Sequence, residues 1–425
     1  MKKIQYLFIV VMFSGVLVCQ SLYGINNSGN LSADWKKTVE KIDKEVWIGY
    51  SIKTEKKENY FVGGIICTDN EISFKDIING RVEYSKAFHS NNKHGKHTFW
   101  GSGSFNGKKG EKEIAILFRV KKGKSRLRIK KITAFNFAFS TDFGGYDLYW
   151  MGDYDKSNSL DFIIDKFKEN DDPDLQEDLI PIAGLHKTEV AASFLIDQIK
   201  NNDFEETRER AAFWLGKQNS RAGLKFLQKV VFSNDETEVK ESAVAGIAQA
   251  EIEESKEILI DIIDNHQKED IQENAIFWLG QKDDKDVVKI LKEIAWSNKS
   301  ENLREKAIFS LSQSKYEEAT EELIKLAYNE KNSELRKNAI FWLGQKAGKK
   351  AVSELKNMVD NTPDIEIKKR ALFALVQNSE KDNIDYLIKI AKTHKSKKLR
   401  KHAIFCLSQN DSPKVVEALV DILHN

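Results

Sequence analysis

Residues 335–345 read LRKNAIFWLGQ, and the pattern returns every 32 residues through the C-terminal half of a 425-residue chain. Its alanine recurs as Ala211, Ala243, Ala275, Ala307, Ala339, Ala371 and Ala403. The blocks these alanines open read AAFWLGK, AVAGIAQ, AIFWLGQ, AIFSLSQ, AIFWLGQ, ALFALVQ and AIFCLSQ. A second column keeps the same step: Leu195, Leu227, Leu259, Leu291, Leu323, Leu355, Leu387 and Leu419. Self-similarity at such a period marks a solenoid of helical units, each of which buries its apolar face only by stacking on its neighbours.

At about 100° per residue, Leu335, Ala339, Trp342 and Leu343 share one stripe, the face expected against the paired helix. Ile340 and Phe341 fall on the flanks, and Lys337 and Gly344 on the outward line. Val352, Leu355, Met358 and Val359 form the stripe of the shorter partner helix, after a turn around Gly348. Pro363 falls where a loop is wanted, and Ser412-Pro413 reads as a cap followed by a first helical turn. The array begins before the first Ala block, with a helix over 179–185 that Pro181 should interrupt.

The columns resemble HEAT-type helical repeats. The residues that carry the likeness are the hydrophobic-basic pairs Val239-Lys240, Leu303-Arg304, Leu335-Arg336, Ile367-Lys368 and Leu399-Arg400, each followed by Ala-x-Phe-x-Leu-x-Gln or a near variant; Ile271-Gln272 lacks the cation. More closely, the blocks are similar to those of exported bacterial HEAT-repeat proteins with PBS-lyase-like repeats. Those also place a β-rich module first, joined through a junction similar to Tyr149-Trp150-Met151-Gly152. The resemblance implies an armadillo-like superhelix with the signature helices lining a concave side. It implies protein–protein interaction and names no activity.

Charge divides the chain. Residues 31–160 hold 24 Lys and Arg against 16 Asp and Glu, while 161–425 hold 41 against 49. Lys2 and Lys3 followed by the apolar run Ile4–Val18 read as a signal peptide over 1–24, which implies a periplasmic or secreted protein. Cys19 leaves lipoprotein anchoring as the alternative, although Val16-Leu17-Val18 is a poor lipobox. Cys67 and Cys406 sit in different modules and suggest no disulfide framework.

The expected fold class is α+β: a small antiparallel β domain over 30–155, then an all-α HEAT-type α-α superhelix over 156–425. Ser32 is a candidate cap for a short helix carrying Trp35, Val39 and Ile42. Val46, Ile48, Tyr50 and Ile52 alternate as in a half-buried strand, with further strands expected over 61–67 and 98–105. Residues 114–120 and 126–132 form the clearest hairpin.

Several features are candidates for function. Lys121, Lys122, Lys124, Arg126, Arg128 and Lys130 make a basic hairpin face, which is either a solvated face that blocks edge pairing or a dock for an anionic envelope surface. His89, His94 and His97 match no strong metal spacing, and no metal or cofactor is expected. Trp214, Trp278 and Trp342 recur every 64 residues, with Gly246, Ser310 and Ala374 between them. They read as a ligand stripe or as large-small interdigitation, and their place on the apolar stripe favours the second. The column Gln249, Gln281, Gln313, Gln345, Gln377 and Gln409 is expected to bond adjacent repeats as a polar ladder.

HExxH, GxSxG, CxxC, Walker and dinucleotide motifs are all absent, as are the His-Glu pairs through which the HEAT-like deoxyhypusine hydroxylases hold iron. The expectation is a non-enzymatic scaffold in the bacterial envelope, without nucleic acid, binding a protein or peptide on the concave face. The contact set would be Glu241, Glu273, Glu305, Lys337, Lys369 and Lys401 with Phe277, Phe309, Phe341 and Phe373. These charges run from acidic to basic along the array. The alternative has the basic β module dock on the envelope surface, with the repeats as spacer.

Overall fold

The computed structural model describes residues 21–54, 60–62, 66–67, 74, 78, 101–102, 112–123, 127–137, 140–141, 143–282, 284–346, 348–377, 381–410 and 412–424. Residues 1–20 of the signal peptide expected over 1–24, Cys19 among them, the three histidines, Lys124 and Arg126 lie outside the described residues. The chain forms two compact units, Met1–Leu227 and Gln228–Asn425.

The first unit opens with β1 (Leu22–Gly24), α1 (Leu31–Lys41), β2 (Val46–Lys53), β3 (Tyr60–Val62), β4 (Ile66–Cys67), β5 (Gly101–Ser102), β6 (Glu113–Lys122), β7 (Leu127–Asn136), β8 (Ser140–Thr141) and β9 (Leu148–Tyr154). Seven strands pair in the order β1-β9-β2-β6-β7-β3-β5, and β4 pairs with β8. The sheet is mixed, not purely antiparallel, because β9 inserts between β1 and β2 and runs parallel to both. The connection β1–α1–β2 is a helical crossover between the two parallel strands that flank β9. Asn30, not Ser32, caps α1, its Oδ1 accepting from the Ala33 N–H at 2.9 Å.

Strand β2 is buried on both faces, contrary to its alternating pattern. On one face Phe118, Tyr50, Trp35 and Phe162 interlock, with Trp35 edge to face on Phe118 at 5.2 Å between centroids and tilted against Phe162 at 5.0 Å. On the other, Trp47 joins Phe74, Leu117, Phe135, Phe143 and Leu148 in a second core. A strand in the middle of a covered sheet has no solvent face, so Trp47, Gly49 and Ser51 mimic the polar half of an amphipathic strand while being buried.

Helix begins one residue after β9: α2 (Lys156–Lys168), α3 (Pro173–Gly184), α4 (Glu189–Asn201), α5 (Glu205–Gly216) and α6 (Arg221–Val231), inside which the units part. Helix α3 runs unbroken through Pro181, whose carbonyl still accepts from the Leu185 N–H at 3.1 Å. His186 lies at its end, fully buried. Its Nδ1 faces the Ile182 carbonyl at 2.9 Å and its Nε2 the Ser159 hydroxyl at 2.8 Å, which in turn meets the Tyr50 hydroxyl at 2.9 Å. This chain ties strand β2 to α2 and α3. Burial pushes the imidazole down to about 4.

The second unit continues with α7 (Thr237–Gln249), α8 (Glu254–Asn265), α9 (Glu269–Gly280), α10 (Lys285–Trp296), α11 (Glu301–Gln313), α12 (Glu317–Asn329), α13 (Ser333–Gln345), α14 (Lys349–Asn361), α15 (Ile365–Gln377), α16 (Lys381–Thr393), α17 (Lys397–Leu407) and α18 (Pro413–His424). Odd-numbered helices α7–α17 carry the signature blocks, and each packs on the signature helix one repeat away as well as on its own partner. Every alanine of the signature column is fully buried. A larger side chain there would force the paired helices apart, which is why the column never varies.

Candidate functional site

The basic residue of most signature pairs has a structural task. Arg304 Nε donates to the Ala295 carbonyl at 2.9 Å, Lys368 Nζ to Val359 at 2.6 Å and Arg400 Nη1 to His394 at 2.7 Å. Gln272, which lacks the cation, makes the same kind of bond to Ile263 at 3.0 Å. These are carbonyls at the end of the preceding helix, and a cation there also meets the negative end of the helix dipole. The column is therefore spent on holding helices together, not on a ligand.

The glutamine column does not form the expected ladder. Gln281, Gln313, Gln345, Gln377 and Gln409 are exposed. The next residue along forms the ladder instead, in alternate repeats. In the first unit Gln218 Nε2 donates to the Gly184 carbonyl at 2.7 Å. In the second, Lys282 Nζ donates to Ala248 at 2.9 Å and Ala250 at 3.3 Å, and Lys346 Nζ to Ser312 at 3.0 Å and to Ser314. Burial holds both ammoniums below the ordinary lysine range. Ser412 does not cap α18, since its buried hydroxyl has no partner.

The tryptophans follow the same two-repeat beat. Trp214 is buried over Gly184, where a Cβ would come within 2.6 Å of the indole. Gly280 and Gly344 face the next signature helix, where a Cβ would stand 2.5 Å from that of Ser310 and 2.6 Å from that of Ala374. Gly344 is thus buried and not on an outward line. Ser310 and Ala374 therefore close on glycines. Trp278 and Trp342 are half-buried, and their rings reach sideways into a row of phenylalanines.

That row is the candidate site, and it lies within the second unit. Phe277 and Phe309 stack with centroids 6.2 Å apart and planes at 14°. Phe309 meets Trp342 at 4.9 Å, and Trp342 meets Phe341 at 5.0 Å. Phe277, Phe309 and Phe373 are half-buried; Phe341 is 37% exposed and Phe405, one repeat further, 54%. Phe405 was legible as the next member of the 32-residue column but was not singled out from the sequence.

The charged column sits four residues before the phenylalanines, on the same helical face. Glu241 is half-buried, and burial together with Asp270 and Glu238 raises its carboxyl. Glu273 pairs with Lys306 at 3.4 Å, and Glu305 is exposed. Lys337 and Lys369 are each paired one turn back, with Glu334 at 2.6 Å and Glu366 at 2.7 Å. Those carboxyls are held below the usual range by the lysines. Lys401 has Lys398 at the equivalent position and is exposed. The acid-to-base progression is therefore present, but its middle is locally neutralised.

Among the described residues no three His, Cys, Asp or Glu side chains gather as a metal set, and no helix is long and apolar enough to cross a membrane. Cys406 is fully buried, and burial pushes its thiol up to about 12. A thiol so placed is a small core residue.

Residues 256–344 and 352–425 match the family described as HEAT repeats. No curated protein matches the chain. Among solved structures, human deoxyhypusine hydroxylase is similar at 16% identity over 60% of this chain and 96% of that one, with a TM-score of 0.27. The Escherichia coli protein YibA is similar at 16% over 58% and 96%, with a TM-score of 0.33. The CpcE–CpcF complex of phycocyanin lyase from Nostoc is similar at 15% over 62% and 94%, with a TM-score of 0.29. The C-terminal helices of this chain, from residue 256 onward, are HEAT repeats, and its fold is a small mixed-sheet domain followed by a HEAT-type helical array.

Proposed function

We propose that this protein is a non-enzymatic scaffold that holds an extended segment of a protein partner along the signature-helix face of its HEAT repeats. The observation that carries the reading is the aromatic row Phe277–Phe309–Trp342–Phe341, part-exposed and flanked by a graded line of charge. Part-exposed aromatics give large apolar contact at low entropic cost, which suits them to anchor a partner. Core packing alone would not require Phe341 or Phe405 to face solvent. The leader read from Lys2, Lys3 and Ile4–Val18 supports an envelope location for this scaffold. The test is capture from envelope extract on immobilised full-length protein. Wild type should retain a protein that the Phe277→Ala/Phe309→Ala variant loses by roughly tenfold, and equal retention by both refutes the reading.

A second reading keeps one specific observation. Lys121, Lys122, Arg128 and Lys130 are exposed at the closed end of the β6–β7 hairpin, with Lys121 only 4.0 Å from the Glu45 carboxylate. Such a tip fits an anionic envelope surface. Cosedimentation with phosphatidylglycerol vesicles that a Lys121→Gln/Lys122→Gln/Lys130→Gln variant leaves unchanged would discard it.

A further inference from the structure

We infer that the last repeat provides a dedicated seat for an acidic stretch of the partner polypeptide, so that the bound segment lies with its carboxylates toward α17 and α18. This rests on the reading of the signature face as a protein-binding surface. Three observations converge on it. The first is a cleft of about 490 Å³, lined by Lys392, Lys397, Arg400, Lys401 and Asp421 over the apolar floor Ala391, Ile404 and Ile422. Four cations face one carboxylate there, and that carboxylate is already bound to Lys392 at 3.1 Å.

The second is a reversal in the repeat pattern. In the two preceding repeats the position three before the column lysine is an acid, Glu334 or Glu366, which neutralises Lys337 or Lys369. In the last repeat the same position is Lys398. Among the described residues Lys397 and Lys401 have no ion-pair or hydrogen-bond partner. Elsewhere in this unit exposed lysines are commonly tied to the adjacent repeat, as Lys285 is to Glu318 at 2.5 Å and Lys350 to Glu317 at 2.8 Å. Two ammoniums left without counter-ions beside each other repel, and an anion between them relieves that repulsion.

The third is continuity. Lys401 belongs both to the cleft and to the charged column of the aromatic row, and Phe405, the most exposed ring of that row, follows it by one turn. The cleft is larger than a single phosphate requires and has an apolar floor, so it suits carboxylates carried on a chain with apolar neighbours. At the other end of the row Glu238, Glu241 and Asp270 repel such a stretch. That fixes the direction in which the segment lies.

The test uses the full chain and a fluorescently labelled peptide in which glutamates alternate with leucines, together with its lysine-for-glutamate counterpart. The glutamate peptide should bind, with an affinity that falls as salt is raised, and the lysine counterpart should bind more weakly. Lys397→Gln/Lys401→Gln should weaken the glutamate peptide by roughly tenfold and flatten its salt dependence, while Lys289→Gln, a lysine already paired with Asp286, should leave it unchanged. All three side chains are exposed, so the variants fold. If the glutamate peptide binds but the double variant binds it equally, or if inorganic phosphate displaces it as readily as unlabelled peptide does, the acidic seat is overturned and the scaffold reading stands. If neither peptide binds and capture of a protein by the aromatic row also fails, both fall together.

Discussion

The buried imidazole of His186 should make the first unit lose stability in mild acid. The perturbation is proton uptake by a ring that has no room to be charged. Its Nδ1–H is committed to the Ile182 carbonyl, so its Nε2 must accept from Ser159. Protonating Nε2 sets donor against donor and places a charge in the core near Lys156. Burial lowers the ring to about 4, against 6.5 when unfolded. Below pH 6.5 the unfolded chain takes up a proton that the folded chain refuses, so stability is complete above that pH and is lost as pH falls toward 4. At about 1.4 kcal/mol per unit, the gap of about 2.5 units amounts to about 3.5 kcal/mol. Urea unfolding monitored from pH 7.5 downward, with histidine ring-proton titration by NMR, measures both quantities. His186→Gln should be less stable at neutral pH by about 1–3 kcal/mol through its broken hydrogen bonds, yet show a flatter profile between pH 6.5 and 4. Parallel profiles for wild type and variant, or a ring that titrates near 6.5, would refute the reasoning.

Other consequences are testable by simpler means. Arg304→Ala removes a helix-end donor and leaves the Glu330 carboxylate, 4% exposed, without its guanidinium; a loss of about 2–4 kcal/mol in chemical denaturation is expected. Gly344→Ala should cost about 1–3 kcal/mol, because its Cβ would meet Ala374 at 2.6 Å, and the same substitution at the open Gly24 should cost far less. Cys406, with its thiol pushed up to about 12, should resist alkylation at pH 8 until denaturant is added, as read by peptide mass mapping. Exposed Phe405→Ala should leave the unfolding midpoint nearly unchanged.

The helical array was legible because its information is local and repeated. A 32-residue step that preserves alanine at every fully buried crossing needs no tertiary knowledge to read. What the sequence could not show was which neighbour each side chain meets. Trp214, Trp278 and Trp342 share a column, but the first is buried over Gly184 and the others lean into phenylalanines, because different residues face them across the helix crossing. The glutamine ladder was misread by one position: a helix end turns by about 100° per residue, so Gln281 and Gln345 face solvent while Lys282 and Lys346 reach the neighbouring helix. The parallel pairing at one edge of the mostly antiparallel sheet was not legible, because strand direction follows from a partner far along the chain, here β9 lying between β1 and β2. Of the candidate site, the phenylalanine and charge columns were visible by spacing. The pairing that silences Lys337 and Lys369 but spares Lys401 depends on the residue one turn back, and its effect emerged only from the geometry.

The alternation of clamp donors and acceptors has a bearing on how such a chain can lengthen. Signature helices ending Gly-Gln-Lys at 280–282 and 344–346 give an ammonium to predecessors ending Ala-Gln-Ala and Ser-Gln-Ser. Excising one repeat would bring two lysine-bearing ends together, each competing for the same carbonyls, or two small-residue ends with no clamp between them. Excising two restores the match. The lysine clamp at 282 and 346 thus recurs with a step of 64 residues, and removing 64 residues from this stretch should cost less stability than removing 32.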